Sequence, residues 1–469
     1  MKRSKRLCVL LGILLLVCSA AFAVTKHEER KELIKNSGEV ILTIDKEAVK
    51  TLSWENETES LAFHKDGKWM YEEDEAFPVS EEKIDELLGV FEEFGVSFVI
   101  EEVEDVGQYG LDDPVCTISL ETEEETYEIL LGDYSTMDSE RYVSIGDGNV
   151  YLVKDDPLDH FDAVLSDMID HDDLPDFETV SRMKITGAED YQIFYEEESK
   201  DSYSEEDVYF TEQDGVTCPL DTERVENYLQ TVSSMDLTEY VTYNVTDEEL
   251  QSYGLDAPEL SVTVDYTYVD EETEEEVEDT FTLHVARDPK ERAKAEEKEE
   301  DGESEEEEIT AYARVGESQI VYSIASGTYK ELMAAAYDDL RHEEVFWGDS
   351  GDIYQMDITL EGTDYTITSE GDDEERTYYY GEEELEPASI RSALSALSAD
   401  RFTDEAPSQK EEISLTLYLE NENFPQVKLE LYRYDGAHCL AVVDGEPVSL
   451  VERSQVVDLV EAVNAIVLE

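Results

Sequence analysis

Tyr109-Gly110-Leu111-Asp112-Asp113-Pro114 returns, with one change, as Tyr253-Gly254-Leu255-Asp256-Ala257-Pro258, 144 positions further on. Each copy follows an acidic, helix-like stretch and leads into an alternating strand pattern. The motif has a mechanical reading. A helical turn ends at Tyr109 or Tyr253, and Gly110 or Gly254 supplies the left-handed residue of a C-cap. Leu111 or Leu255 then packs back on the last turn, and Pro114 or Pro258 stops the helix. A repeat at this spacing predicts modules of domain size rather than short solenoid units. These eight residues are read as a structural motif, not as a chemical site.

On either side of the motif the same order of patterns recurs. Before the first copy, Leu61–Phe63 and Trp69–Tyr71 flank an Asp66-Gly67 turn, a hairpin signal. Ser80 then opens a helix with the stripe Ile84, Leu87, Leu88, Phe91 and Phe94. Strand patterns follow, and a short helix around residues 161–168 closes the unit. The second unit replays this through the Asp214-Gly215 turn and a helix carrying Val225, Tyr228, Leu229 and Val232. A third unit repeats strands, helix, strands and helix, but reads Phe402 to Pro407 where the motif would stand. The expected division is 1–37 as basic start, membrane anchor or signal segment and stalk, then modules at 38–176, 177–346 and 347–469. Residues 270–308 read as a disordered acidic insert in the second module, because 291–308 is acid-rich and lacks aromatics. The expected fold class is α+β: three repeated modules of antiparallel sheet with flanking helices, those helices on one face, plus an N-terminal transmembrane or signal helix.

The chain has 469 residues, with 34 basic against 122 acidic side chains and a formal charge of −88. Such a surface repels nucleic acid, so a nucleic-acid partner is excluded. It attracts divalent cations loosely. Apolar residues still make up 40% of the chain, with 14 Phe, 28 Tyr and 3 Trp, enough to fill several cores.

Lys2, Arg3, Lys5 and Arg6 precede an uncharged apolar run, Leu7 to Val24. A basic start before such a run is an export signal that leaves the N-terminus inside and the bulk of the chain outside the cytoplasmic membrane. Retention as an anchor, cleavage after Ala21-Phe22-Ala23 and lipidation at Cys18 all stay open. Beyond the run, Cys116, Cys218 and Cys439 are odd in number and widely spaced, so no disulfide framework follows.

A Tyr-Gly-Leu-Asp-x-Pro turn after a helix, a preceding Trp hairpin and the strand end Leu130-Leu131-Gly132 together resemble DUF4340, a bacterial domain of unknown function. The resemblance covers residues from about 38 to 345 well and the remainder by pattern. It implies a membrane-anchored envelope protein, in some cases beside auxiliary components of ABC transporters. It brings no catalytic residue with it.

Chemistry-bearing motifs are few. There is no phosphate-cradling glycine loop, H-E-x-x-H or C-x-x-C. Gly348-Asp349-Ser350-Gly351 reads as a turn between modules. His160 and His171 bracket Asp170, Asp172, Asp173 and Asp176, a weak candidate metal cluster without the spacing of a calcium loop; a linker is the simpler reading. Among 122 acids no glycosidase pair can be chosen, since separation in space decides that chemistry. Trp54, Trp69 and Trp347 are either sugar platforms or core, and Trp69 keeps step with Phe63 and Tyr71 as core. No cofactor is called for. The expected function is a non-catalytic, membrane-anchored scaffold or partner-binding protein of the bacterial envelope, accessory to a transport or export assembly. The alternatives are a divalent-cation- or glycan-binding surface module and, third, an envelope hydrolase.

Overall fold

The computed structural model describes residues 39–101, 103–270, 273–301, 309–371 and 376–467. The apolar run Leu7 to Val24, and with it the expected transmembrane or signal helix, lies outside them. Among the described residues no helix is long and apolar enough to cross a membrane. The architecture is mostly antiparallel sheet with helices packed against it, an α+β fold.

Three large sheets carry the chain, with eight, nine and nine strands. In each, the chain enters at an inner strand: Val49–Asn56, Thr179–Thr186 or Ile353–Leu360. It steps outward by hairpins to one edge and passes through a helix, Glu81–Gly89, Thr222–Ser233 or Ala388–Ser395. A short strand is then laid on the far edge, at Phe98–Ile100, Tyr240–Thr242 or Ala399–Phe402. The chain returns to the middle at Cys116–Thr122, Leu260–Val269 or Glu411–Leu419. Three hairpin steps bring it out again to meet the short strand. The first sheet has one strand fewer on the hairpin side.

A second feature recurs with the strand order. Each inner strand pairs its returning partner with one residue skipped near its start: between Val49 and Thr51, Val180 and Arg182, and Ile353 and Gln355. A bulge adds local twist and fixes register, so it is retained where the sheet geometry needs it.

Local sequence explains the helices. Ser80 and Asp221 cap theirs, each side chain accepting from the amide three residues on, Lys83 N and Arg224 N. Apolar side chains at helical period then bury one face: Ile84, Leu87 and Leu88 in the first, Val225, Tyr228, Leu229 and Val232 in the second. In the first core Trp54 stacks on Phe63 at 5.5 Å and meets Phe161 edge-on at 5.6 Å. Each such fully buried side chain contributes about 1.5–3 kcal/mol. Trp54 and Trp69 are both buried, so neither is a sugar platform. Trp347 is only partly buried and packs against the third core.

Helices lie on both faces of the second sheet, not on one. Strand alternation turns Ala286 away from Val285, and Ala286 belongs to a separate cluster with Val245, Leu250, Leu255 and Val321 beneath the short helix Asp247–Tyr253. Of the acidic stretch 270–308, residues 271–272 and 302–308 lie outside the described residues, and the rest differs from the expected disordered insert. Glu276–Arg287 is a strand paired along the central Leu260–Val269, and Pro289–Asp301 is a helix. The physical reason is local: Ala, Glu, Lys and Arg are strong helix formers. Asp288 Oδ1 caps the first turn by accepting from Lys290 N at 2.9 Å and Glu291 N at 3.1 Å. Glu291 then ties the helix back through Thr310 N at 2.9 Å.

By packing, the chain divides into two compact units, Met1–His171 with the first sheet and Asp172–Glu469 with the other two. Within the second unit, Tyr203 reaches from the loop before Tyr209–Gln213 into the core of the third sheet, beside Phe346 and Trp347.

Candidate functional site

The two motif turns come out as capped helix ends. Gly110 sits at φ 72°, ψ 17° and Gly254 at φ 74°, ψ 7°, both left-handed. Leu111 N reaches back to Val106 O at 3.3 Å and Leu255 N to Leu250 O at 3.0 Å, the six-to-one bond that closes a helix C-terminus. Leu111 and Leu255 are buried. Each motif tyrosine meets another across the sheet, Tyr109 with Tyr142 at 4.9 Å and Tyr253 with Tyr312 at 5.0 Å. Pro114 and Pro258 stand just before the returning central strands. These residues hold backbone and core together.

The aspartates singled out between the first two sheets lie on a stretch with no helix or strand. Asp170 N donates to Pro78 O at 2.8 Å, which belongs to the first unit. In the second unit, Asp172 N donates to Tyr322 Oη at 2.8 Å, and that hydroxyl donates back to Asp172 Oδ2 at 3.0 Å. Asp176 O accepts from Glu178 N. Asp173 follows Asp172 in sequence. Among the described residues, the group with metal-compatible spacing is Asp221, His342 and Glu344.

That group surrounds the most elaborate polar centre of the second unit. Asp207, only 4% exposed, accepts from the Ser202 hydroxyl, from Trp347 Nε1 at 3.0 Å and from His342 Nε2 at 2.9 Å. The His342 ring stacks on Trp347 at 4.6 Å, nearly parallel at 7°. On its other side, His342 Nδ1 is 3.9 Å from Asp221 Oδ2. Arg224 stands at the rim, with Nε 3.4 Å from Asp221 Oδ2 and a terminal nitrogen 2.8 Å from Glu343. Sequence reasoning missed this centre. Its members lie as far as 145 positions apart, from Ser202 to Trp347, and no local spacing marks them.

The first unit holds a cleft of about 780 Å³ lined by Phe94, Ser97, Lys154, Asp155, Asp159 and His160, among others. Its buried neighbours are already partnered. Glu140 accepts from the Ser97 hydroxyl and has Lys154 Nζ 3.9 Å away. Arg141 Nε reaches Asp156 Oδ1 and Oδ2 at 2.6 and 2.7 Å, and another of its nitrogens donates to Gly132 O at 2.7 Å. Burial pushes the nearby Cys116 thiol up to about 12 in spite of Arg141, so it stays protonated and unreactive. On the second sheet, Ser261 Oγ lies 2.8 Å from His284 Nδ1 as a cross-strand pair. Burial first, and Arg314 second, hold that imidazole's pKa down.

The family model of the domain of unknown function DUF4340 matches the chain twice, over residues 69–258 and 212–416. The chain belongs to this family. No curated protein and no solved structure matches it.

Proposed function

We propose that this chain is a non-catalytic scaffold or partner-binding protein of the bacterial envelope, anchored by its N-terminal segment and serving a transport or export assembly. We further read residues 38–176, 177–346 and 347–469 as three copies of one module. The shared strand order and the shared bulge support that division. The basic start and apolar run at residues 2–24 support the location.

The observation that carries the partner-binding reading is that three exposed apolar side chains lie at sheet edges. Phe98 is 61% exposed, Val216 62% and Val241 43%. Each stands on an outermost strand of its sheet. An edge strand presents unpaired N–H and C=O groups, and an apolar side chain beside them completes a docking strip for an extended segment of another protein. The charge of −88 discourages a second copy from pairing there and favours a partner with a basic surface.

Site-specific photocrosslinking in intact cells tests this. A photoreactive residue at Phe98 or Val241 should give discrete adducts with one envelope protein. The same residue at Glu361, in an exposed turn between two inner strands, should not. Adducts equally abundant at all three positions, or at Glu361 alone, would refute edge docking.

A further inference from the structure

We propose that Asp221, His342 and Glu344 form a site for one first-row divalent ion of the zinc class, with Asp207 as the positioning residue behind the histidine. One ligand atom from each of the three lies within 4.8 Å of the others. Proximity alone would carry little on so acidic a chain. The argument comes from Asp207, which lies outside the trio. This carboxylate is 4% exposed and accepts from the Ser202 hydroxyl and the Trp347 indole N–H. Its third contact, at 2.9 Å, is to His342 Nε2. That contact commits Nε2 to Asp207 and leaves Nδ1 as the ring nitrogen that faces Asp221.

The distance between the two is that of a gap, not of a bond. His342 Nδ1 and Asp221 Oδ2 are 3.9 Å apart, too far for a hydrogen bond and a few tenths of an ångström wider than the ~3.3–3.6 Å between neighbouring ligands of a tetrahedral zinc, so a small side-chain closure would seat the ion. Asp221 Oδ1 is occupied as the helix cap, accepting from Arg224 N at 3.2 Å, so the oxygen that would turn to the ion is Oδ2, which Arg224 Nε approaches only to 3.4 Å. A histidine that gives its second N–H to a buried carboxylate is the usual support of a metal-bound imidazole. The stacked Trp347 ring fixes its plane. One nitrogen and two oxygens select zinc or a neighbour over calcium and magnesium, which take all-oxygen shells. Arg224 is the competing cation, but it divides its contacts between Asp221 and Glu343. Bound there, the ion would staple residues 342–344, which lead into the third sheet, to the start of the Thr222–Ser233 helix of the second.

Full-length protein stripped with a chelator and titrated with zinc chloride against a chromophoric competitor gives the test. Wild type should take up one tight equivalent, and calcium or magnesium at the same concentration should not displace it. Glu344→Gln and His342→Gln should each weaken that equivalent at least tenfold, and Asp207→Asn by about ten- to hundredfold. Cobalt in place of zinc should give a visible absorption band in wild type that His342→Gln abolishes. If His342→Gln fails to fold, Glu344→Gln, which leaves the Asp207 network intact, decides the matter. Zinc bound equally by wild type and Glu344→Gln, in several weak equivalents, would mean adventitious binding to the acidic surface and would overturn the site.

Discussion

The first and second Tyr-Gly-Leu turns share residues and backbone angles, yet they rest on their sheets differently. At the first, a Cβ on Gly132 would fall 2.2 Å from Tyr109 O, and one on Gly110 would fall 2.8 Å from Asp133 N. At the second, strand register puts Ala286 where Gly132 stands. A Cβ on Gly254 there meets nothing nearer than Arg287 O at 3.2 Å. The first turn therefore hangs on close backbone approach and is preceded by a 3₁₀ turn of four residues. The second hangs on a seven-residue helix with a full capping box. The same six-residue signature is thus met by two different divisions of labour between packing and hydrogen bonding.

The largest expected effect lies in the strand beneath the first turn. Gly132→Ala should lower stability by about 3 kcal/mol or more, because neither the carbonyl nor the strand can yield cheaply. The matched change, Ala286→Gly, should cost about 0.5–1 kcal/mol. Calorimetry on the two variants gives both numbers, and equal losses would break the comparison. Next comes the turn glycine itself. Gly254→Ala should cost about 1–2 kcal/mol, the ordinary penalty for a left-handed alanine, whereas Gly110→Ala adds the collision with Asp133 and should cost more. Thr246→Ala, which removes the second turn's cap, should cost about 1 kcal/mol and leave the first turn untouched.

The smallest effect is acid sensitivity. The Thr246 amide first, and its hydroxyl second, hold the Glu249 carboxyl below its ordinary range. A depressed carboxyl stabilises the fold above its unfolded-state pKa and loses that contribution as pH falls through the folded one. Exchange at the Leu255 amide, corrected for intrinsic rates, should therefore rise between about pH 5 and 3. That result would sharpen the contrast with Leu111, whose turn lacks a Glu at this place.

Much of the fold was legible because it is local. Asp-Gly turns, the Ser80 cap and the stripe through Ile84, Leu87 and Leu88 are each decided within a few residues. The turn glycines were legible too, but not the tightness around them, which depends on Gly132 and Ala286 on a strand formed later in the chain. The helix Pro289–Asp301 was hidden by composition. Its Glu and Lys are as good in a helix as in a disordered segment, and its cap residue Asp288 is one acid among many. The Asp207 centre was illegible for the opposite reason. Its members come from three separate stretches, and only the docking of Tyr203 into the third core brings residues 202–207 against 342–347. The cluster from Asp170 to Asp176 looked like a site because its acids are neighbours in sequence.

The central claim is that one strand plan was built three times, each sheet centred on an inner strand and its returning partner. Hydrogen exchange read by mass spectrometry tests it most directly. The account predicts three separate maxima of protection: Val49–Asn56 with Cys116–Thr122, Thr179–Thr186 with Leu260–Val269, and Ile353–Leu360 with Glu411–Leu419. Exchange should quicken toward both edges of every sheet, and Phe98–Ile100, Tyr240–Thr242 and Ala399–Phe402 should be among the fastest strands. A sheet whose edge strand outlasts its inner pair, or a third sheet without its own maximum, would contradict it.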